Sequence, residues 1–237
     1  MPSKTHKCKR LLIVCVAAVG CIAPAGSTLV AQSPSAKAFP VARVRFEQNA
    51  TDGDVEVVFE VTGGSEGLAS LKVVSPDGRI VVDFAAPDHS TLGMRQFVFE
   101  SPEPKDVQSL AAAYPEGEYT FAGATASGAR FRSKASLRHF LPPTTSLVSP
   151  AAKEGVPTKG LKIAWTPLDD VTAYIVELEE RGSPARLLAK LPAPSAVFAV
   201  PDGFLRANAR YTIAVGTVAG NGNISYIETS FTMAADR

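Results

Sequence analysis

The stretch Val55-Glu56-Val57-Val58-Phe59-Glu60-Val61 decides the fold. Apolar β-branched and aromatic residues recur at every second position with polar residues between them, the period of a strand that buries one face. Working outward, Val41, Arg43 and Phe46 open the same period before it, and Ser70-Leu71-Lys72-Val73-Val74 continues it after. Thr51-Asp52-Gly53-Asp54 and Pro76-Asp77-Gly78 punctuate these runs. Asp tolerates left-handed backbone and Gly adopts it freely, so the chain reverses there. Short alternating runs divided by turns at intervals of about ten residues predict an all-β chain of antiparallel sandwiches.

One segment breaks the period. From Pro104 to Tyr114, Val107, Leu110 and Ala111 stand at helical spacing, with a proline at the start and Pro115 at the end. Proline is tolerated in a first turn because its missing N–H needs no partner there. A short helix crossing one edge or end of the first sandwich is expected. Leu141-Pro142-Pro143-Thr144-Thr145 then reads as a stiff, extended connection between two domains, residues 40–141 and 148–237, with the hinge at 142–147.

The N-terminus reads as an export signal. Residues 1–10 are basic, Leu11 to Ile22 are almost wholly apolar, and Ala23-Pro24-Ala25 offers a cleavage site before Gly26. This assigns residues 1–25 to a signal peptide and 26–39 to a flexible segment. The apolar run is shorter than the roughly 20 residues of a spanning helix, so no transmembrane span is expected in the mature chain. Cys8, Cys15 and Cys21 are the three cysteines, all in or beside the leader, so no disulfide is expected after it. Cys21 follows Ala18-Val19-Gly20, which resembles the lipobox of bacterial lipoproteins. On that alternative Cys21 is lipidated and the protein is membrane-anchored; plain cleavage, with a periplasmic or secreted product, is preferred because Ala18 stands where such motifs favour Leu. The whole chain carries a formal charge of +1, and without Lys4, Lys7, Lys9 and Arg10 it keeps 20 basic and 23 acidic residues. So balanced a surface has no electrostatic footprint for nucleic acid.

From Val148 to Met233 the sequence resembles a fibronectin type III module, a fold of the immunoglobulin-like kind, with the likeness spanning residues 145–235 at its widest. Leu161-Lys162-Ile163-Ala164-Trp165 ends in the only Trp, and Ala173-Tyr174-Ile175-Val176-Glu177-Leu178 follows as the next strand. Leu205, with Tyr211 six positions on, resembles the family's tyrosine corner, in which a buried ring fixes a sheet crossover through its hydroxyl. Ala207 and Ala209 stand where the family often has Pro and Gly. The resemblance marks Trp165, Tyr174, Leu205 and Tyr211 as core residues. A weak internal repeat pairs Tyr119-Thr120-Phe121-Ala122 with Tyr211-Thr212-Ile213-Ala214 at an offset of 92, suggesting a similar fold upstream. The layout of residues 40–237 also looks like a group of exported bacterial two-domain proteins of uncharacterised function, which supplies an architecture and no activity.

Candidate chemistry is sparse. Gly63-Gly64-Ser65-Glu66-Gly67 matches G-x-S-x-G, but that motif needs a strand-to-helix elbow and here strand-like residues lie on both sides. His89 beside Asp88 reads as loop, and His139 as a partly covered sheet residue. Asp52, Asp54 and Glu56 supply three carboxylates where calcium wants six or more oxygens. Asp169-Asp170 reads as a loop between strands. Trp165, Tyr119, Tyr211, Phe59, Phe121 and Phe231 fall where burial is the default, leaving Tyr226 and Phe140 as surface rings, too few for a sugar platform. These readings converge on a non-catalytic exported binding or scaffolding protein, with no catalytic residue, metal or cofactor assigned and a protein partner unnamed. The alternatives are an accessory carbohydrate-binding pair and, more remotely, a hydrolase.

Overall fold

In the computed structural model, which describes residues 35–86, 92–104, 106–151 and 153–235, the alternating runs are strands. The first half holds β1 (Val41–Asn49), β2 (Asp54–Thr62), β3 (Ser70–Val74), β4 (Ile80–Ala85) and β5 (Gln96–Glu100). Helix α1 (Val107–Ala113) precedes β6 (Gly117–Ala124) and β7 (Arg130–Leu137). The second half holds β8 (Leu147–Ser149), β9 (Lys162–Trp165), β10 (Ala173–Glu180), β11 (Arg186–Pro192), β12 (Val197–Ala199), β13 (Arg210–Val218) and β14 (Ile224–Thr232).

Each half is a sandwich of three strands against four with one shared strand order. In the first, β5-β2-β1 faces β4-β3-β6-β7; in the second, β12-β9-β8 faces β11-β10-β13-β14. Strands β6 and β13 hold the same place, so the repeat at offset 92 marks two equivalent strands. Alternate residues fill the interiors. Phe46, Val57, Phe59, Leu71, Tyr119 and Phe121 form the first core; Ile163, Trp165, Tyr174, Leu178, Tyr211 and Phe231 belong to the second. Burying each such side chain contributes roughly 1.5–3 kcal/mol.

The helix starts later than the proline alone suggests. Asp106 is the N-cap, its carboxylate accepting from the Gln108 N–H at 3.0 Å, and Pro104 lies outside the helix. Leu110 is its buried residue and ties it to the first core.

The sandwiches are joined edge to edge. β14 pairs with β1 in parallel over Glu47↔Ile224, Gln48↔Ser225 and Asn49↔Tyr226, which merges two sheets into one of seven strands, β11-β10-β13-β14-β1-β2-β5. Opposed residues share a face, and Glu47 and Ile224 both point away from the cores, so both smaller sheets pack on the same side of the shared sheet.

The proline-rich connector crosses that inner side and is fastened to it. Thr217 and Ser225 are fully buried hydroxyls at the seam ends of β13 and β14. Each donates 2.6 Å to a connector carbonyl, Thr217 Oγ1 to Pro143 and Ser225 Oγ to Pro142. Prolines carry no N–H, so their carbonyls are the only backbone groups needing partners there. Asn223, also buried, completes the clamp. Its Nδ2 donates to the carbonyls of Arg138 (2.6 Å) and Phe140 (2.8 Å), and its Oδ1 accepts the Phe46 N–H from β1 at 2.8 Å. One amide thus binds β14, β1 and the connector together. Asn223→Ala leaves the buried Phe46 N–H without its acceptor and takes one donor from the Arg138 and Phe140 carbonyls, and is expected to lower unfolding free energy by about 2 kcal/mol in urea titrations. An unchanged midpoint excludes the clamp as a source of stability.

Candidate functional site

The corner residues Leu205 and Tyr211 lie in the second core. Tyr211 is fully buried, and its hydroxyl accepts the Arg206 N–H at 3.0 Å. Asn208, at φ 60°, takes left-handed backbone in the turn between Ala207 and Ala209, a conformation Asn adopts more readily than Ala. Arg206 pairs with the buried Glu180 beside the ring. Leu205 is buried, as are Trp165 and Tyr174, whose rings lie 5.2 Å apart. The Tyr174 hydroxyl accepts the Leu168 N–H at 2.6 Å. In the first sandwich Tyr119 does the equivalent work, donating to the Pro115 carbonyl at 3.1 Å, and burial pushes its phenol up to about 12. These residues hold the fold and leave no reactive group exposed.

Ser65 sits exposed on a turn between β2 and β3, strands on both sides, away from any elbow. His139 follows β7; its Nε2 lies 2.8 Å from the Tyr114 carbonyl and its ring packs on Phe46. It bridges α1's C-terminus to the seam. Asp170 takes left-handed backbone in the loop before β10. Among the described residues no group of three His, Cys, Asp or Glu stands close enough to hold a metal ion. Cys21 and the Asp88-His89 pair lie outside the described residues.

Tyr226 is the expectation that fails. Phe140 is indeed 69% exposed, but Tyr226 lies on the outer face of the shared sheet with its ring over Gly216, where an added Cβ would stand 2.6 Å from the ring. Burial raises its phenol pKa, with Glu47 and Glu177 adding to the effect. A glycine opposite an aromatic on neighbouring strands is the sequence signal for this, visible only once β13 and β14 are paired.

Around Tyr226 the outer face is crowded: Tyr226 and Ile175 pack against a small buried cluster of Ala173, Val218 and Ile224, with charged side chains beside it. Glu47 is nearly buried, contacts Arg45, and stands directly opposite Glu56 on β2. Arg45 also reaches Glu60 at 3.4 Å, and Arg186 on β11 pairs with Glu177 at 2.6 Å. Burial, then the charges of Glu47, Glu100 and Glu103, push Glu56 up to about 7; burial raises Glu47 too, against Arg45. The cavity beside these carboxylates is only about 80 Å³, room for water and little else. It offers neither a nucleophile nor a paired base.

The flanks are different. The shared sheet ends at β5 on one side and β11 on the other, and the four-stranded sheet of the first sandwich ends at β4. Between β4 and β5 an open cleft of about 410 Å³ is lined by Phe59, Val81, Val82, Phe84, Phe99 and Tyr114 together with Asp83, Glu100 and Ser101. Val98 on β5 and Leu188 on β11 project from these edges, 53% and 62% exposed. The chemically distinctive surface is therefore sheet edge: unpaired backbone beside apolar side chains.

No family model matches the chain, and no curated protein matches it. Among solved structures it is similar to fibronectin type III modules. Those of Clostridium thermocellum CbhA, described as fibronectin(III)-like, share 13% identity, with 86% of this chain and 92% of that one covered at a TM-score of 0.33. A two-domain fibronectin type III segment of chicken tenascin shares 13%, covering 81% and 98% at 0.32. The chicken CNTN1 FN1–FN3 domains share 15%, covering 83% and 67% at 0.31.

The carboxylate pair gives a pH dependence with a definite sign. Glu56 holds its proton more tightly in the folded chain than in the unfolded one, so its contribution to stability is full below the usual 4.5 and is lost as pH rises to about 7. Glu47 shifts in the same direction. Urea midpoints should fall across that window, and Glu56→Gln should flatten the fall. An equal slope in the variant excludes Glu56 as the group responsible.

Proposed function

We propose that this protein is a non-catalytic binding or scaffolding protein of the bacterial cell envelope, exported by its N-terminal leader, that makes protein contacts through sheet edges. The observation that carries the reading is that β5 and β11, the two end strands of the seven-stranded sheet, have no further strand beside them among the described residues, and each carries an exposed apolar residue. A strand edge offers a row of N–H and C=O groups to another chain, and flanking side chains decide which chain pairs. Natural edges are commonly blunted by proline, bulges or dense charge; β5 has none of these along Gln96-Phe97-Val98-Phe99-Glu100.

The location follows from the basic and apolar leader and the A-x-A site before Gly26. Cleavage there yields a periplasmic or secreted chain; processing at Cys21 would instead leave it lipid-anchored, and labelling with radioactive palmitate, lost in Cys21→Ser, separates the two.

Chemical cross-linking in intact cells, followed by purification, is expected to recover one envelope protein repeatedly with the native chain. Val98→Lys and Leu188→Glu should each reduce that recovery. Recovery equal to native in both variants, or no recurring cross-linked partner at all, a second copy of this chain included, excludes the edges as the contact surface.

A further inference from the structure

The two free edges of the seven-stranded sheet fit each other. We propose that the partner is a second copy of this chain, joined head to tail by antiparallel pairing of β5 with β11 in the register Val98↔Leu188. This rests on the reading of sheet edges as the contact surface, and names what occupies them.

Backbone direction comes first. β5 runs with β1, because both are antiparallel to β2; β1 is parallel to β14, which is antiparallel to β13, as is β10. β5 and β10 therefore point the same way, and β11 points the other way. A second copy set beside the first in the same orientation brings its β11 antiparallel to β5, the direction in which a sheet extends without turning a molecule over.

Hydrogen-bonding phase comes next. In an antiparallel ladder alternate residues turn their N–H and C=O to one neighbour and the rest turn to the other. On β5, Ser101 donates to Val57 and the Arg95 carbonyl accepts from Gly63, so the odd-numbered residues face β2 and Gln96, Val98 and Glu100 face outward. On β11, the Ala185 carbonyl accepts from Glu180 and Ala193 donates to Thr172, so Arg186, Leu188 and Lys190 face outward. Setting Val98 opposite Leu188 pairs outward residues with outward residues along the whole joint.

Side chains agree with that register. Opposed residues share a face, and these six lie on the outer face, opposite Glu60 and Val58 on β2 and Ile175, Glu177 and Glu179 on β10. Val98 then meets Leu188, two large apolar side chains that are exposed in the single chain. Two positions along, Glu100 meets Arg186, and in the other direction Gln96 meets Lys190. The guanidinium of Arg186 already serves Glu177 and Glu179 and has further N–H groups for Glu100. Charge also selects against the symmetric alternative. A β11–β11 joint centred on Leu188 sets Arg186 against Lys190 twice, cation on cation, while a β5–β5 joint centred on Val98 forms no ion pair at all. A joint between two different edges does not close on itself, so it adds copies without limit unless it curves into a ring.

The full chain, purified from the cells that export it, should show a sedimentation mass that climbs with concentration. Val98→Lys and Leu188→Glu should each weaken association at least about tenfold, since each places a charge at the centre of the joint. Mixed together they should assemble again, because one variant retains β11, the other retains β5, and the two substituted ends bring opposite charges face to face. If either substitution unfolds the chain, as read from its thermal transition, Glu100→Lys and Arg186→Glu make the same test from the flanking positions. A native chain that stays monomeric, a single variant that still assembles, or a mixture that remains monomeric overturns the proposal. Recovery of a different envelope protein by cross-linking alongside a monomeric native chain overturns the head-to-tail joint alone and leaves the broader reading standing.

Discussion

The structure depends on a single buried amide. Asn223 donates to two connector carbonyls and accepts from the backbone of Phe46, the last a fully buried contact. It reinforces the parallel pairing of β14 with β1, three residue pairs long and of the slightly weaker kind, which is also held by Gln48 to Ser225 and by the Ala50 N–H to the Tyr226 carbonyl. Thr217 and Ser225 extend the same logic. They are polar residues on an otherwise apolar inner face, and the connector of two prolines supplies carbonyls without N–H groups to match them. Composition and geometry agree: the connector presents acceptors, and the strand ends present donors. What reads in the chain as a spacer is a bolt.

Much of the fold is legible in the sequence because it rests on local physics. Period two in Val55–Val61, the turn at Pro76-Asp77-Gly78 and the tyrosine corner ending at Tyr211 are all settled by residues within a few positions of one another. The repeat that links Tyr119 to Tyr211 is legible for the same reason, since each ring must reach a backbone group four or five residues upstream. The seam is not. It joins residues about 177 positions apart, and its polar members, Asn221-Gly222-Asn223 and Ser225, are of the kind that ordinarily mark a solvated hairpin. The sequence likewise leaves Tyr226 as a surface ring, because nothing near it in the chain announces that Gly216 lies beneath.

The outer face of the seam carries the cost of this joining. Glu47 already stands opposite Glu56 within the first sandwich, and pairing β1 with β14 sets Ile224 on its other side while Glu177 approaches from the second sandwich. Like charges across a ladder oppose folding. Arg45 answers Glu47 and Glu60, and Arg186 answers Glu177 and Glu179, so most of the charge is balanced within the face. Glu56 is left with the weakest answer, and holding its proton is the way the site relieves itself. The arrangement is electrostatically tense: carboxylates crowd a face where Arg45 and Arg186 answer them through ion pairs.

Building two like sandwiches into one sheet also decides which strands end that sheet. Each sandwich has two flanks. The seam consumes β14 from one and β1 from the other, leaving β11 and β5 as the ends of the shared sheet. Two identical modules joined this way cannot present identical ends: one end is the fourth strand of the second sandwich and the other is the fifth strand of the first. Dissimilar ends are what a directional contact requires, since a symmetric pair needs the same surface twice. Arg186 and Lys190 at one end and Glu100 at the other give that direction a sign, and the sign comes from the strand order before any partner is considered.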